Sequence, residues 1–286
     1  MKNLRLLERV IHSVSILDRY VCTPRLMSLG VFYFCGRWMD MRYKRVLIKL
    51  SGGAVAGQGE IGFDPERLNY IASEMMTVVN MGVEVSIVIG GGNIFRGNLA
   101  ENWGIERAEA DNIGTLATVV NSLMLRGVLK SKTDKEVRVM SAIPLSSVAE
   151  PYIRLRAIHH LEKGYIVIFA GGNGQPYVTT DYPSAQRAIE VNSEALLVAK
   201  QGVDGVLSGD PKTRTDVVKY DSLHYNDVLQ RNLKVMDQSA FILARDYHLP
   251  IHVFNFDTPG SMRAICEGSN VGTMISHDSV LAVTST

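Results

Sequence analysis

The chain has 286 residues, a formal net charge of +1, and 46% hydrophobic against 21% charged residues. That near-neutral balance excludes a nucleic-acid binder working through bulk electrostatics, while leaving room for a locally basic pocket that takes a phosphorylated small molecule. Three cysteines (Cys22, Cys35 and Cys266), odd in number and without metal-ligand spacing, argue against a disulfide framework and fit a reducing, cytoplasmic compartment.

Residues 1–40 carry scattered arginines and no clean helical stripe. Their longest apolar run, "MSLGVFYFC", is too short to span a bilayer, and no single apolar block with a small-residue cleavage site marks a signal peptide. No membrane association is expected. Three origins stay open for this N-terminal extension: translation from upstream of a start at Met39 or Met41, an organellar transit peptide, or a genuine appendage. Glu8, Asp18 and Asp40 weigh against the transit peptide. Residues 41–286 read as a single domain.

From Arg42 the pattern is regular. "RVLIKL" (45–50) is a nearly continuous apolar run, as a strand buried on both faces requires. The helix that follows has Asp64 as N-cap, Pro65 at its first position, Leu68, Ile71, Met75 and Val78 or Val79 at helical spacing, and Gly82 as its close. "VEVSIVI" is the next strand. A helical segment from about Asp111 to Leu129 precedes the strand "EVRVMSAI", and the helix "PYIRLRAIHHLEKG" leads to "YIVIFAGG". A helix near Ser184–Val191 precedes "EALLVAK". The long stretch "NDVLQRNLKVMDQSAFILARDYHL" reads as helical, followed by the strand "PIHVFNF" and a short last strand, "VGTMI". Strands and helices alternating over short connections predict an α/β three-layer sandwich with a mostly parallel central sheet.

Ligands of such sheets collect outside the carboxyl ends of the strands. Four of those ends read "IKLSGG", "IGGGNIFRG", "FAGGNGQPYVTTD" and "AKQGVDGVLSGDP", each combining glycines with polar side chains. Glycine lets backbone N–H groups approach an anion closely and permits turns that other residues avoid. A single such end is most simply a turn; four in one sheet point to phosphate. There is no G-x-x-x-x-G-K-[ST], and "GGGNIF" fails the dinucleotide fingerprint at its last glycine.

Lys49 ends a buried strand, where an ammonium needs a partner or ligand unless it snorkels to the surface. Arg96 suits a forked contact to phosphate, or is only an exposed arginine starting a helix. Asp181 in "TTD" has a bland reading as a helix cap, and Asp210 in "SGDP" as a turn residue. Together they meet the needs of phosphoryl transfer: cations for the moving group, backbone amides for the flanking phosphates, carboxylates to orient lysines or Mg²⁺. No G-x-S-x-G, H-E-x-x-H or C-x-x-C competes. His159 and His160 read as a solvated helix end rather than a metal pair.

The segments "KRVLIKLSGG", "VIGGGNIFRG", "DNIGTLATVVNSL", "GNGQPYVTTD", "GVDGVLSGDP", "KVMDQSAFILARD" and "LPIHVFNF" closely resemble, in order, those of the bacterial-type UMP kinases of the amino-acid kinase fold. The likeness runs from Tyr43 to Ile275. It implies conversion of UMP to UDP with Mg-ATP by a homohexamer activated by GTP and inhibited by UTP. By position, it implies that Lys49, Leu50, Ser51 and Gly52 contact ATP phosphates, that Gly92 and Arg96 lie between the nucleotides, and that Gln201, Leu207 and Asp210 border the adenine nucleotide. Gly91 would lie against UMP, Asp111 would hold its ribose, and Asn173, Gly174, Gln175, Pro176, Tyr177, Val178, Thr179 and Thr180 would wrap it. Lys49, Arg96 and Asp181 would be catalytic, with no protein-borne metal. A carboxylate accepting from two ribose hydroxyls is physically apt at Asp111. The chain departs from the family at Gly53, where an acidic residue is usual, and at "GNGQP", where Gly-Thr-Gly-Asn-Pro is usual. "GQGEIGFDP" matches the region tied to GTP response. Two competing readings remain: a carboxylate kinase of the same fold, acting on acetylglutamate or carbamate, and a nucleotide-binding protein without turnover.

Overall fold

The computed structural model describes residues 41–57, 61–97, 100, 103–209 and 216–283. Its centre is strand β1 (Arg45–Leu50), in which every residue after Arg45 is buried. β1 lies parallel between β2 (Glu84–Ile89) and β6 (Ala195–Lys200), with Val46 opposite both Val85 and Ala195. A strand flanked on both edges and covered on both faces has no exposed side, which is why its sequence is a continuous apolar run.

The other strands are β3 (Val137–Ser141), β4 (Glu150–Pro151), β5 (Ile166–Ala170), β7 (Val206–Leu207), β8 (Lys219–His224), β9 (Ile251–Asn255), β10 (Thr273–Ser276) and β11 (Ala282–Val283). The order across the sheet is β11-β8-β10-β9-β6-β1-β2-β5-β3-β4, with β7 paired to β8. Pairing is parallel from β9 through β4 and between β8 and β10; it is antiparallel at β10–β9, β11–β8 and β7–β8.

Helices cover both faces. On one lie α1 (Pro65–Val79), α2 (Arg107–Lys130) and α7 (Ser261–Cys266), which bury Ile71, Leu125 and Ile265 against Val46, Ile48 and Leu50. On the other lie α3 (Arg154–Glu162), α4 (Asp181–Glu190), α5 (Tyr225–Gln230) and α6 (Gln238–Asp246), which bury Leu161, Ala188 and Phe241 against Leu47. The expected three-layer α/β sandwich is thus present. Side chains alternate along a strand, so Lys49 shares the face of Leu47 and points toward the α4 layer.

The start of α1 follows the sequence closely. The Asp64 carboxylate accepts from the backbone N–H groups of Glu66 and Arg67 at 2.8 and 3.1 Å, satisfying two orphan donors of the first turn. Two expectations need correction. The helical stretch 226–249 is two helices, because Asn232 takes a positive φ of 51° and the backbone around 235–237 bonds to the sheet and to α4 rather than to itself. α2 begins at Arg107, which puts Asp111 in its second turn and not at its head. The short β4, β7, β8, β11 and α7 had no periodic signal.

Candidate functional site

The triple glycine ending β2 is shaped by contact. None of Gly90, Gly91 and Gly92 adopts a positive φ, so turn freedom does not explain them. A Cβ on Gly91 would stand 2.6 Å from the Gly114 carbonyl oxygen and 2.8 Å from the Ala117 methyl of α2. On Gly52, at the end of β1, it would stand 2.4 Å from the Gly92 nitrogen. The two loops and α2 therefore meet backbone to backbone, and Gly92 is the residue of the three whose missing side chain faces open space. A buried amide pair fixes this floor: Asn121 Nδ2 donates to the Gly90 carbonyl and to Asn93 Oδ1, both at 2.6 Å, and Asn93 Nδ2 donates back to Asn121 Oδ1 at 3.1 Å.

Beside the floor stands the ion pair of the site. Lys49 Nζ lies 2.6 Å from Asp181 Oδ1, with the lysine side chain 9% and the aspartate 15% exposed. Lys49 therefore does not snorkel. Asp181 is the first residue of α4, where a carboxylate is favoured by the helix dipole, yet it does not act as the side-chain cap. Its second oxygen accepts from the Asp237 N–H at 3.0 Å, and the Asp237 carboxylate accepts from the Thr179 hydroxyl at 2.5 Å. Both oxygens of Asp181 thus have a partner, and the carboxylate so held fixes where the Lys49 ammonium points. Breaking a pair this buried leaves an uncompensated charge.

The loop from Gly171 to Thr180 closes the opposite side. Gly171, Gly172, Gly174 and Tyr177 all have positive φ, 76°, 56°, 77° and 65°. The loop is tied down from three sides: the Gly171 N–H donates to Thr118 Oγ1 at 2.9 Å, Arg187 donates to the Gly172 carbonyl at 3.3 Å, and the Tyr177 N–H donates to Asp111 Oδ2 at 2.8 Å. Arg107 Nε bonds both Asp111 oxygens, at 2.9 and 3.0 Å.

These pieces surround a cleft of about 770 Å³. Of the residues singled out in the sequence, Lys49, Ser51, Gly52, Gly91, Gly92 and Arg96 line it from the β1 and β2 ends. Asp111, Asn173, Gln175, Val178, Thr179 and Thr180 line it from the far side, and Gln201 from the end of β6. Arg96 donates to the Gly92 carbonyl at 3.1 Å. Leu207 lines a second cavity of about 540 Å³, with Lys200, Arg231 and Lys234. Leu50 offers the cleft no side chain, since alternation sends it into the opposite core. Gly174, Pro176 and Tyr177 are not on the cleft wall; Tyr177, 66% exposed, contributes its backbone through Asp111. Asp210 lies outside the described residues, as do residues 58–60 of "GQGEIGFDP".

Sequence reading missed Asp237, Asn93, Asn121, Thr118 and Lys200. The first four act through contacts between distant segments and leave no local pattern. Lys200 did carry a signal, the one that marked Lys49: an ammonium at the end of a buried strand. The His159–His160 reading needs adjustment, because His160 Nε2 lies 3.0 Å from Glu150 Oε2 and its ring stacks on Tyr165. It is a packed helix end and not merely a solvated one.

A parallel sheet whose strand ends gather glycine loops, a buried lysine–aspartate pair and flanking cations defines a phosphate-handling α/β protein. The amino acid kinase family model matches residues 44–255, and the chain belongs to that family. Within it, the chain is 57% identical over 235 residues to the uridylate kinase of Frankia casuarinae, covering 82% of this chain and 91% of that protein. The structure of a UMP kinase from Bacillus anthracis superposes with a TM-score of 0.82 at 68% identity, over 84% of this chain and 99% of that one. The aspartate kinase of Synechocystis shares the fold alone, with a TM-score of 0.62 at 17% identity over 82% of this chain and 40% of that one. No helix among the described residues is long and apolar enough to cross a membrane.

Proposed function

We propose that this chain transfers the γ-phosphoryl group of Mg-ATP to UMP, giving UDP and ADP, in cytoplasmic pyrimidine nucleotide synthesis. The observation that carries the reading is the buried Lys49–Asp181 pair beside a glycine floor, with Lys49 on the wall of the cleft. The names of the relatives supply the substrate.

A phosphate oxygen of UMP attacks the γ-phosphorus of ATP; the new P–O bond forms as the bond to the β–γ bridging oxygen breaks, and the electron pair leaves on ADP. The acceptor phosphate has a second pKa near 6 and is already largely dianionic at neutral pH. No protein base or nucleophile is required, and the site's work is positioning and charge stabilisation. Lys49, oriented by Asp181, meets the charge on the transferring group, and Arg96 adds a fork on the open side. Backbone amides around Gly52 and Gly92 hold the flanking phosphates, where Gly92 lets a phosphate come close. Mg²⁺ enters as part of the ATP substrate and offsets its phosphate charge. Asp111 takes the ribose while it braces the Tyr177 amide, and Asn173 to Thr180 enclose the uridine nucleotide. Gln201, Leu207 and Asp210 border the adenine nucleotide, Leu207 from the second cavity.

The same reading takes residues 41–286 as one domain and residues 1–40 as a separate extension, supported by the compact unit Met39–Thr286. Homohexamer formation draws support from an apolar stripe on α2: Ile113, Leu116, Val120 and Met124 recur at helical spacing and are 36–48% exposed. Activation by GTP and inhibition by UTP rest on the resemblance. The test is a coupled assay with Mg-ATP and the acceptors UMP, CMP, dUMP, TMP and acetylglutamate, with GTP and UTP added in turn. Strong preference for UMP is expected; equal use of CMP, or phosphorylation of the carboxylate alone, overturns the reading.

A further inference from the structure

β6 ends on a buried-strand lysine with no place in the scheme above. Lys200 shares a face of β6 with Leu196 and Val198, the face that in β1 carries Leu47 and Lys49. The register sets Lys49 opposite Val198, so Lys200 lies one alternation further toward the carboxyl end, on the neighbouring strand. Its Nζ donates to the Val235 carbonyl at 2.6 Å, which occupies one of three N–H donors. The side chain lines the second cavity with Arg231 and Lys234, and no carboxylate is among the described residues of that wall.

Three features set Lys200 apart from a lysine that only closes a strand. Burial, and then the Lys49 ammonium, hold its pKa below the ordinary lysine range, while Asp181 pulls it the other way. It is therefore within electrostatic reach of the transfer centre while standing in the wall of the other cavity. Among the described residues, the charged groups acting on it are Lys49 from β1 and Asp181 from α4, and Arg231 and Lys234 of the α5–α6 connection share its cavity wall. With Asp181 already engaged by Lys49 and by the Asp237 amide, this arrangement has an excess of positive charge that an incoming polyanion relieves.

We infer that Lys200 is a phosphate-binding residue for the donor nucleotide, bridging the second cavity to the Lys49–Asp181 centre and stabilising the β-phosphate as it becomes the leaving group. This rests on the phosphoryl-transfer reading and extends it. As the bond between the γ-phosphorus and the bridging oxygen breaks, charge grows on the ADP β-phosphate, and Lys200 supplies the counter-charge from the protein side. The anion in turn raises the affinity of Lys200 for its proton, so donor binding at alkaline pH takes up protons.

The test pairs kinetics with calorimetry on the wild-type chain and the variants Lys200→Met and Lys200→Arg. Lys200→Met is expected to lower kcat/KM for Mg-ATP about a hundredfold, the scale of one lost electrostatic stabiliser, with the KM for UMP held within about twofold. Lys200→Arg, keeping the charge, recovers most of the loss. ADP titrated across the alkaline range, in buffers of different ionisation enthalpy, should show proton uptake by the wild type that Lys200→Met lacks; the nucleotide's own phosphates are fully ionised there. Unchanged kcat/KM for Mg-ATP in Lys200→Met, or no proton uptake by the wild type, overturns the inference. The wild-type measurement stands even if Lys200→Met does not fold. Absence of wild-type UMP turnover would instead count against the parent reading.

Discussion

At the end of β2, glycine removes a side chain that would collide; at the end of β5, it admits a backbone that L-residues avoid. Gly90–Gly92 keep negative-side φ values and lie against Gly52 and α2 at distances that leave no room for a methyl group at Gly91. Gly171, Gly172 and Gly174 are left-handed, and Gly172 has only the Pro183 ring, at 3.7 Å, near its missing Cβ. The first region is a floor welded to the core, and the second a loop shaped by its own dihedrals and pinned at Thr118, Asp111 and Arg187. Two runs that look alike in the sequence thus do different structural jobs: one is a close-packed floor of the cleft, the other a wall shaped by left-handed backbone.

The ion pair between the two regions gives the largest expected effect. Lys49→Ala or Asp181→Ala should lower turnover at least about a hundredfold; near-normal rates in both would place the active centre elsewhere. Gly91→Ala follows, because its new methyl meets helix backbone: denaturant unfolding should register a loss of about 3 kcal/mol, the upper range for overpacking. Gly92→Ala, into open space, should keep its stability and show its defect in the KM for ATP. Equal destabilisation of the two would erase the distinction drawn within the floor. Gly172→Ala should cost about 1 kcal/mol through φ alone, and Gly172→Asn less, since asparagine tolerates the left-handed region. The smallest effect belongs to Gly53→Ala. Its Cβ would meet Gln201 Oε1 at an ordinary 3.5 Å, so stability should move by less than about 0.5 kcal/mol, and a larger shift would mean that the first loop is tighter than its contacts imply.

The central strands were legible because burial on both faces leaves an unbroken apolar run, and α1 because Asp64, Pro65 and Gly82 punctuate it. The C-terminal lobe was less so. β8 ("KYDSLH") alternates poorly, and the break between α5 and α6 is imposed by Lys200 and Asp181, which take backbone partners from the connection. The same division holds at the site. Lys49 and Arg96 could be suspected from position alone, and strand alternation with the α4 layer explains why Lys49 meets Asp181. Asp237 could not be suspected, because it acts by bonding Asp181 and Thr179 across 56 and 58 residues. Asp111 was placed by resemblance, and its brace on the Tyr177 amide is a relation of two segments that no local pattern records.

The claim that floor and loop flank one phosphoryl path is tested most directly with a bisubstrate ligand, uridine and adenosine joined by a phosphate chain, in hydrogen-exchange measurements on the wild-type chain. Such a ligand spans both nucleotide positions at once, and exchange reports which backbone regions it orders. Slowed exchange is expected together at residues 90–96 and 171–180, beyond what UMP or ADP alone produces. Protection confined to one of the two regions would contradict the account.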